Sequence, residues 1–287
     1  MVMCSTRQSD AQRLVHGVGE DPNPKPLLFH RVFFNSASVP WVVFVHGAGG
    51  SSSIWFKQVR AFRREFNVVL LDLRGHGRSR DLFQQWCGSR GYTFKEVCED
   101  IIRVLDHLQI PKAHFVGISL GTILIRVLAE EFPDRVSSMV MGGAIIGLNL
   151  SSRMMLWLAG LVKRLVPFMW LYRLYAWILI PDRRHSESRN LFIREAKKLY
   201  QREFIRWVKG ASHVIPLMKY FRERELPIPT LYIMGDEDYM FLPPVILLAG
   251  QHRHARLQVV RSSGHVCNVD QPEAFNVASI EFIRSTA

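Results

Sequence analysis

The features that most quickly assign a chain to a class are scarce in this sequence. Its 287 residues hold four cysteines, Cys4, Cys87, Cys98 and Cys267, with no C-x-x-C pair and no spacing that suits a metal. A disulfide framework and a thiolate metal site are therefore not expected, and the cysteines read as free thiols. The first 26 residues are polar and carry prolines, without the continuous apolar stretch of a secretory signal. The expected location is cytoplasmic. A G-x-x-x-x-G-K-[ST] loop is missing, which argues against a P-loop phosphate site. Long apolar runs are missing too. Within 154–181, the most hydrophobic segment, the longest charge-free run is 154–162, and Pro167 interrupts the remainder. A membrane span needs roughly 20 apolar residues.

Acidic residues are few, 25 against 37 Lys and Arg, for a formal net charge of +12. The imbalance is local. Ser151 to Glu225 holds 16 basic and 6 acidic residues, whereas the rest of the chain holds 21 and 19. The same segment carries Trp157, Phe168, Trp170, Tyr172 and Trp177. No base-stacking motif accompanies the charge, so nucleic acid is not an expected partner. An anionic membrane surface or an acidic acyl-carrier protein fits the sign of the charge.

What is present is a rhythm. Short apolar runs at 28–34, 41–45, 67–73, 113–118, 136–144, 230–234 and 257–260 read as strands. Between them, 53–66, 93–108, 120–132 and 272–284 have the apolar spacing of helices, and Thr93 with Glu96 forms a capping-box pattern. Strands alternating with amphipathic helices predict an α/β fold with a mostly parallel, doubly wound sheet. The helix-like stretch 146–226 breaks the rhythm and reads as an insertion. The expected organisation is a core in two parts, 1–145 and 227–287, around an inserted helical cap at 146–226.

The chemistry gathers at strand ends. In "GISLGT" the spacing is Gly117-x-Ser119-x-Gly121, between a strand and a helix. A serine on such a turn is exposed as a nucleophile, and flanking glycines remove side chains that would collide. "FVHGAGG" follows another strand, and the N–H groups of Ala48 and Leu120 would form a two-donor oxyanion hole. "GDEDYM" supplies Asp238, with Asp236 its nearest competitor, and "SSGHVCNVDQPE" supplies His265. The order Ser, Asp, His, each after a strand, is one known arrangement of a catalytic triad. His265 would accept the Ser119 proton and Asp238 would fix its tautomer.

Taken together, the HG-x-G-G turn, "LDLRGHGRS" (71–79), the Gly-x-Ser-x-Gly elbow, the acid turn and the "SGH" loop resemble the α/β-hydrolase-fold superfamily, over about 28–145 and 227–287. The likeness is to a serine esterase or lipase-like member with a helical cap. It implies that Asp72, Arg74 and His76 belong to a structural turn without a catalytic role. It favours Asp238 over Asp236, because Asp238 stands three residues past Gly235 and the family's other acid position reads "MGGA". The expected activity is hydrolysis of carboxylic esters with hydrophobic acyl groups, without cofactor or metal. The alternatives are acyl transfer or thioester cleavage on acyl-carrier or CoA substrates, and a ligand-binding signalling role.

Overall fold

The computed structural model describes residues 25–82, 92–147, 167–211 and 214–286. Among these residues seven strands form one sheet: β1 (His30–Phe33), β2 (Trp41–Val45), β3 (Asn67–Leu71), β4 (Ala113–Ile118), β5 (Val136–Gly142), β6 (Thr230–Gly235) and β7 (Ala255–Val260), in the order β1-β3-β2-β4-β5-β6-β7. Only β1 runs antiparallel, with His30 opposite Leu71, and the other pairs are parallel. The α/β class and the mostly parallel sheet are those expected from the alternation of elements. Val42–Val45 and Val68–Leu71 are fully or almost fully buried, because strands covered on both faces have no solvent side to alternate toward.

The helices are α1 (Val59–Phe62), α2 (Phe94–His107), α3 (Leu120–Glu131), α4 (Phe168–Leu179), α5 (Ser186–Ala196), α6 (Gln201–Ala211), α7 (Val214–Glu223), α8 (Leu242–Gln251), α9 (Cys267–Asp270) and α10 (Pro272–Arg284). The capping box at Thr93 and Glu96 opens α2. The helix expected over 53–66 is instead a 3-10 turn at Ser52–Trp55 followed by the short α1. Trp55 and Phe62 are buried from these two pieces, so the apolar spacing is satisfied without one continuous helix. Helices α4 to α7 lie in the chain between β5 and β6, where the sequence predicts the insertion. No helix among the described residues is long and apolar enough to cross a membrane. Cys98 and Cys267 are buried free thiols, and Cys4 and Cys87 lie outside the described residues.

One topological fact positions the site. The chain goes from β2 outward to β3, then returns to β4 on the other side of β2. At the carboxyl ends of β2 and β4, where Val45 pairs with Gly117, the following loops diverge. Ligand crevices form at such switch points in open parallel sheets.

Candidate active site

Ser119 stands at the tip of β4 and caps α3 with φ 55° and ψ −121°. That is a costly conformation for a residue with a side chain, of the order of 1–3 kcal/mol. The surroundings enforce it. The Ser119 N–H donates to Gly142 O at 3.0 Å. A Cβ on Gly121 would lie 2.2 Å from Val45 O, so only glycine lets α3 start this close to β2. The Gly-x-Ser-x-Gly spacing is thus a packing requirement as well as a chemical one.

His265 follows β7 and Asp238 follows β6. His265 Nε2 lies 3.0 Å from Ser119 Oγ, and His265 Nδ1 lies 2.8 Å from Asp238 Oδ2. All three residues are buried. The Phe241 N–H donates to Asp238 Oδ1, which orients the carboxylate, and the Phe241 ring packs 5.0 Å from the imidazole. Gly143 holds φ 50° at the end of β5, and a Cβ there would meet His265 O at 2.3 Å. Asp236 is exposed and accepts from the Ser263 N–H, so it braces the loop rather than the ring. His252 is bound to Arg222 O in an exposed position, and His213 lies outside the described residues.

The loop after β2 supplies the other wall. Ala48, Leu191 and Phe192 line one small cavity with Ser119 and His265. Leu120 is the first residue of α3, so its N–H has no partner within the helix. Two buried histidines hold the Ala48 loop. His46 Nδ1 donates to Gly47 O and its Nε2 accepts from the Leu73 N–H. His76 Nδ1 donates to Arg74 O and its Nε2 accepts from the Gly49 N–H at 2.9 Å. Both rings are neutral because burial lowers their pKa values, that of His76 to about 3 with help from neighbouring His46. An uncharged ring is what these pairings require, since each Nε2 must accept.

The inserted helices meet these loops through side chains the sequence does not mark. Tyr172 of α4 donates to Ala48 O at 2.8 Å, and burial, followed by Tyr175 and Glu195, raises its pKa and keeps it protonated. Its ring stacks on Phe192 of α5 at 4.7 Å. Glu195 of α5 accepts from Ser51 Oγ at 2.7 Å and pairs with Lys198. Burial pushes its pKa up, but hydrogen bonds from Lys198 and Ser51 outweigh that and keep it ionised. His185 sits between Glu237, beside the acid turn, and Asp270, beside the histidine loop, at 2.8 and 3.3 Å. The spacing of Tyr172, His185 and Glu195 matches no motif, so only the three-dimensional packing reveals these contacts. The cavity against Ser119 measures about 10 Å³, room for about one water. A more open pocket of about 450 Å³ lies elsewhere, between β7 and α10, with none of these groups in its lining.

Comparison with known proteins agrees with this architecture. A family model described as alpha/beta hydrolase fold matches residues 40–272. The 3-oxoadipate enol-lactonase 2 of Acinetobacter baylyi is 27% identical over 263 residues, covering 85% of this chain and 89% of that protein. A carbamate hydrolase RutD of Enterobacter cloacae, an assignment its name marks as provisional, is 25% identical over 86% of this chain and 92% of its own. Among solved structures, the enol-lactonase from Burkholderia xenovorans LB400 superposes with a TM-score of 0.73 at 20% identity, covering 90% of this chain and 96% of that one. These relatives are all hydrolases by name, and the structural likeness shows the fold.

Proposed function

Because the chain belongs to the alpha/beta hydrolase fold family, we propose that it is a serine hydrolase cleaving carboxylic esters of hydrophobic acids through an acyl-serine intermediate. The observation that carries this reading is the hydrogen-bonded chain from Ser119 through His265 to Asp238, with the serine on a strained elbow. In this reading Ser119 Oγ attacks the ester carbonyl carbon while His265 Nε2 takes its proton. Asp238 keeps the other ring proton on Nδ1 and stabilises the imidazolium. The oxyanion is met by the N–H groups of Ala48 and Leu120, with the positive end of α3 beneath it. Collapse breaks the carbon–oxygen bond, and the leaving alkoxide receives the proton held by His265. A water, deprotonated in turn by His265, then releases the acid and restores the serine.

Residues 146–226 act in this account as a cap over the site, tied to the Ala48 loop through Tyr172. Ile54, Ile118, Leu191, Phe192 and Val266 make the cavity lining apolar, which supports a hydrophobic acyl group. The cavity as it stands holds about one water, so binding of an acyl chain opens further space over Ser119. A carbamate or lactone carbonyl would use the same groups, since the names of the relatives span both. The second reading, transfer of the acyl group to an acceptor other than water, is supported by the excess of basic residues in the inserted helices. The test is a p-nitrophenyl ester series from acetyl to octanoyl, with and without a competing alcohol or thiol acceptor. Each buried methylene contributes about 0.8 kcal/mol, so kcat/KM should rise along the series. A preference for acetyl would contradict the apolar acyl site. Products formed mainly on the added acceptor would select the second reading.

A further inference from the structure

Helix α4 is apolar on two opposite sides. At 100° per residue, Tyr172, Ala176 and Leu179 share one side, and all three are buried against the rest of the protein. Trp170, Leu174 and Trp177 share the other, where they are 68%, 57% and 51% exposed. Arg173, also exposed, falls in the same outward arc. Tyr172 touches the Ala48 loop, so the outward stripe is the back of the helix that roofs the site. A helix buried on one side only would carry polar residues there, and a cluster of large apolar side chains at i, i+4 and i+7 marks an interaction surface.

The charges around the stripe restrict what covers it. No acidic residue occurs in Phe168–Leu179. Among the described residues no carboxylate pairs with Arg173 or Arg183, whereas Arg184 is engaged by Asp182 and Glu237. The Arg189 guanidinium lies 3.7 Å over the Trp177 ring, fixing that ring at the edge of the stripe. Two tryptophans and a leucine beside the exposed Arg173, on a helix without acidic residues, have the composition of an element that lies in the headgroup region of a bilayer, with indoles at the interface and the cation toward lipid phosphates. We propose that the outward face of α4 docks the protein on an anionic lipid surface. The docking is peripheral, since no described helix crosses a membrane. It brings the roof of the site to the phase in which long acyl chains reside. This inference deepens the hydrophobic-ester reading but is tested without turnover.

Co-sedimentation of the full chain with vesicles of phosphatidylcholine, with and without about 30% phosphatidylserine, at low and high salt, tests it. The expected result is binding to the anionic vesicles at low salt, weakening at high salt as headgroup charges are screened, with a blue shift of tryptophan emission. The triple variant Trp170→Ser, Leu174→Ser, Trp177→Ser should lose at least about tenfold in partitioning, and Arg173→Glu should lose several-fold. Near-UV circular dichroism and thermal midpoint show that the variants remain folded. Ser119→Ala should bind as the wild type does, which separates failure of docking from failure of the proposed chemistry. Absence of binding to anionic vesicles at low salt, or binding untouched by the triple variant, overturns the proposal. So does loss of a self-association or of binding to a purified acidic acyl-carrier protein on mutating the stripe, if vesicle binding is absent.

Discussion

The two walls of the site are made by different means. On the core side, Ser119, Ala48, Asp238 and His265 stand on loops at strand ends, and their positions are set by backbone hydrogen bonds, close glycine contacts and two neutral buried histidines. On the side of the inserted helices, contact depends on the ends of long polar side chains: the Tyr172 hydroxyl, the Glu195 carboxylate and the His185 ring. Backbone geometry tolerates almost no substitution, whereas a side-chain tie costs about one hydrogen bond when it is lost. The difference supports the division proposed above, in which the core wall carries the chemistry and the inserted wall carries access and choice of substrate.

The sharpest division lies within the core wall. Asp238→Asn should lower kcat roughly 10³- to 10⁴-fold, because the ring would hold its proton on the wrong nitrogen. Asp236→Asn, which touches only the Ser263 N–H, should leave kcat nearly unchanged. Steady-state kinetics of the two variants on one soluble ester makes the comparison. Equal losses would mean that the acid turn, rather than one carboxylate, is what matters.

A second prediction concerns acid. The folded-state pKa of His76 is about 3 against 6.5 for a free ring. The unfolded chain therefore binds more protons once the pH falls below about 6.5. Stability from this ring is complete above that value and is lost progressively down to about 3. Between about pH 7 and 4.5 the loss from His76 alone is about 2–3 kcal/mol. Urea unfolding at the two pH values should show it, and His76→Gln should reduce the difference even if it is less stable at both. A pH difference unchanged by the substitution would remove the neutral-ring account of the Ala48 loop.

The smallest effect belongs to the inserted wall. Tyr172→Phe removes one hydrogen bond to Ala48 O, worth about 0.5–1.5 kcal/mol. It should lower kcat about 2- to 10-fold, with little change in the slope of ester preference against chain length. A loss as large as that of Asp238→Asn would place Tyr172 in the chemistry and dissolve the contrast between the walls.

Legibility from sequence divides along the same line. Strands such as Trp41–Val45 and Ala113–Ile118 are read residue for residue, because a strand buried on both faces is an unbroken apolar run between turn residues. Ser119, Asp238 and His265 are legible because they follow strands by one, three and five residues, and the fold brings the three together. The helix read over 53–66 is broken, since apolar spacing reports which residues are buried and not whether the backbone is continuous. The aromatics between Phe168 and Trp177 give no sign that Tyr172 turns inward while Trp170 and Trp177 turn outward, because α4 is apolar on both sides. Trp157 from the same segment, and the charges Lys163 and Arg164, lie outside the described residues. Glu195 and His185 lie in a stretch that mixes charges at helical spacing, and only their partners from distant loops explain their burial.

The central claim is that the strained serine on the core wall is the nucleophile. Labelling the protein with a fluorophosphonate and mapping the modified peptide by mass spectrometry tests it most directly. The account predicts a single adduct on Ser119, abolished in Ser119→Ala and strongly slowed in His265→Ala, with both variants folded. An adduct on another serine, or labelling that persists at full rate in His265→Ala, would contradict it.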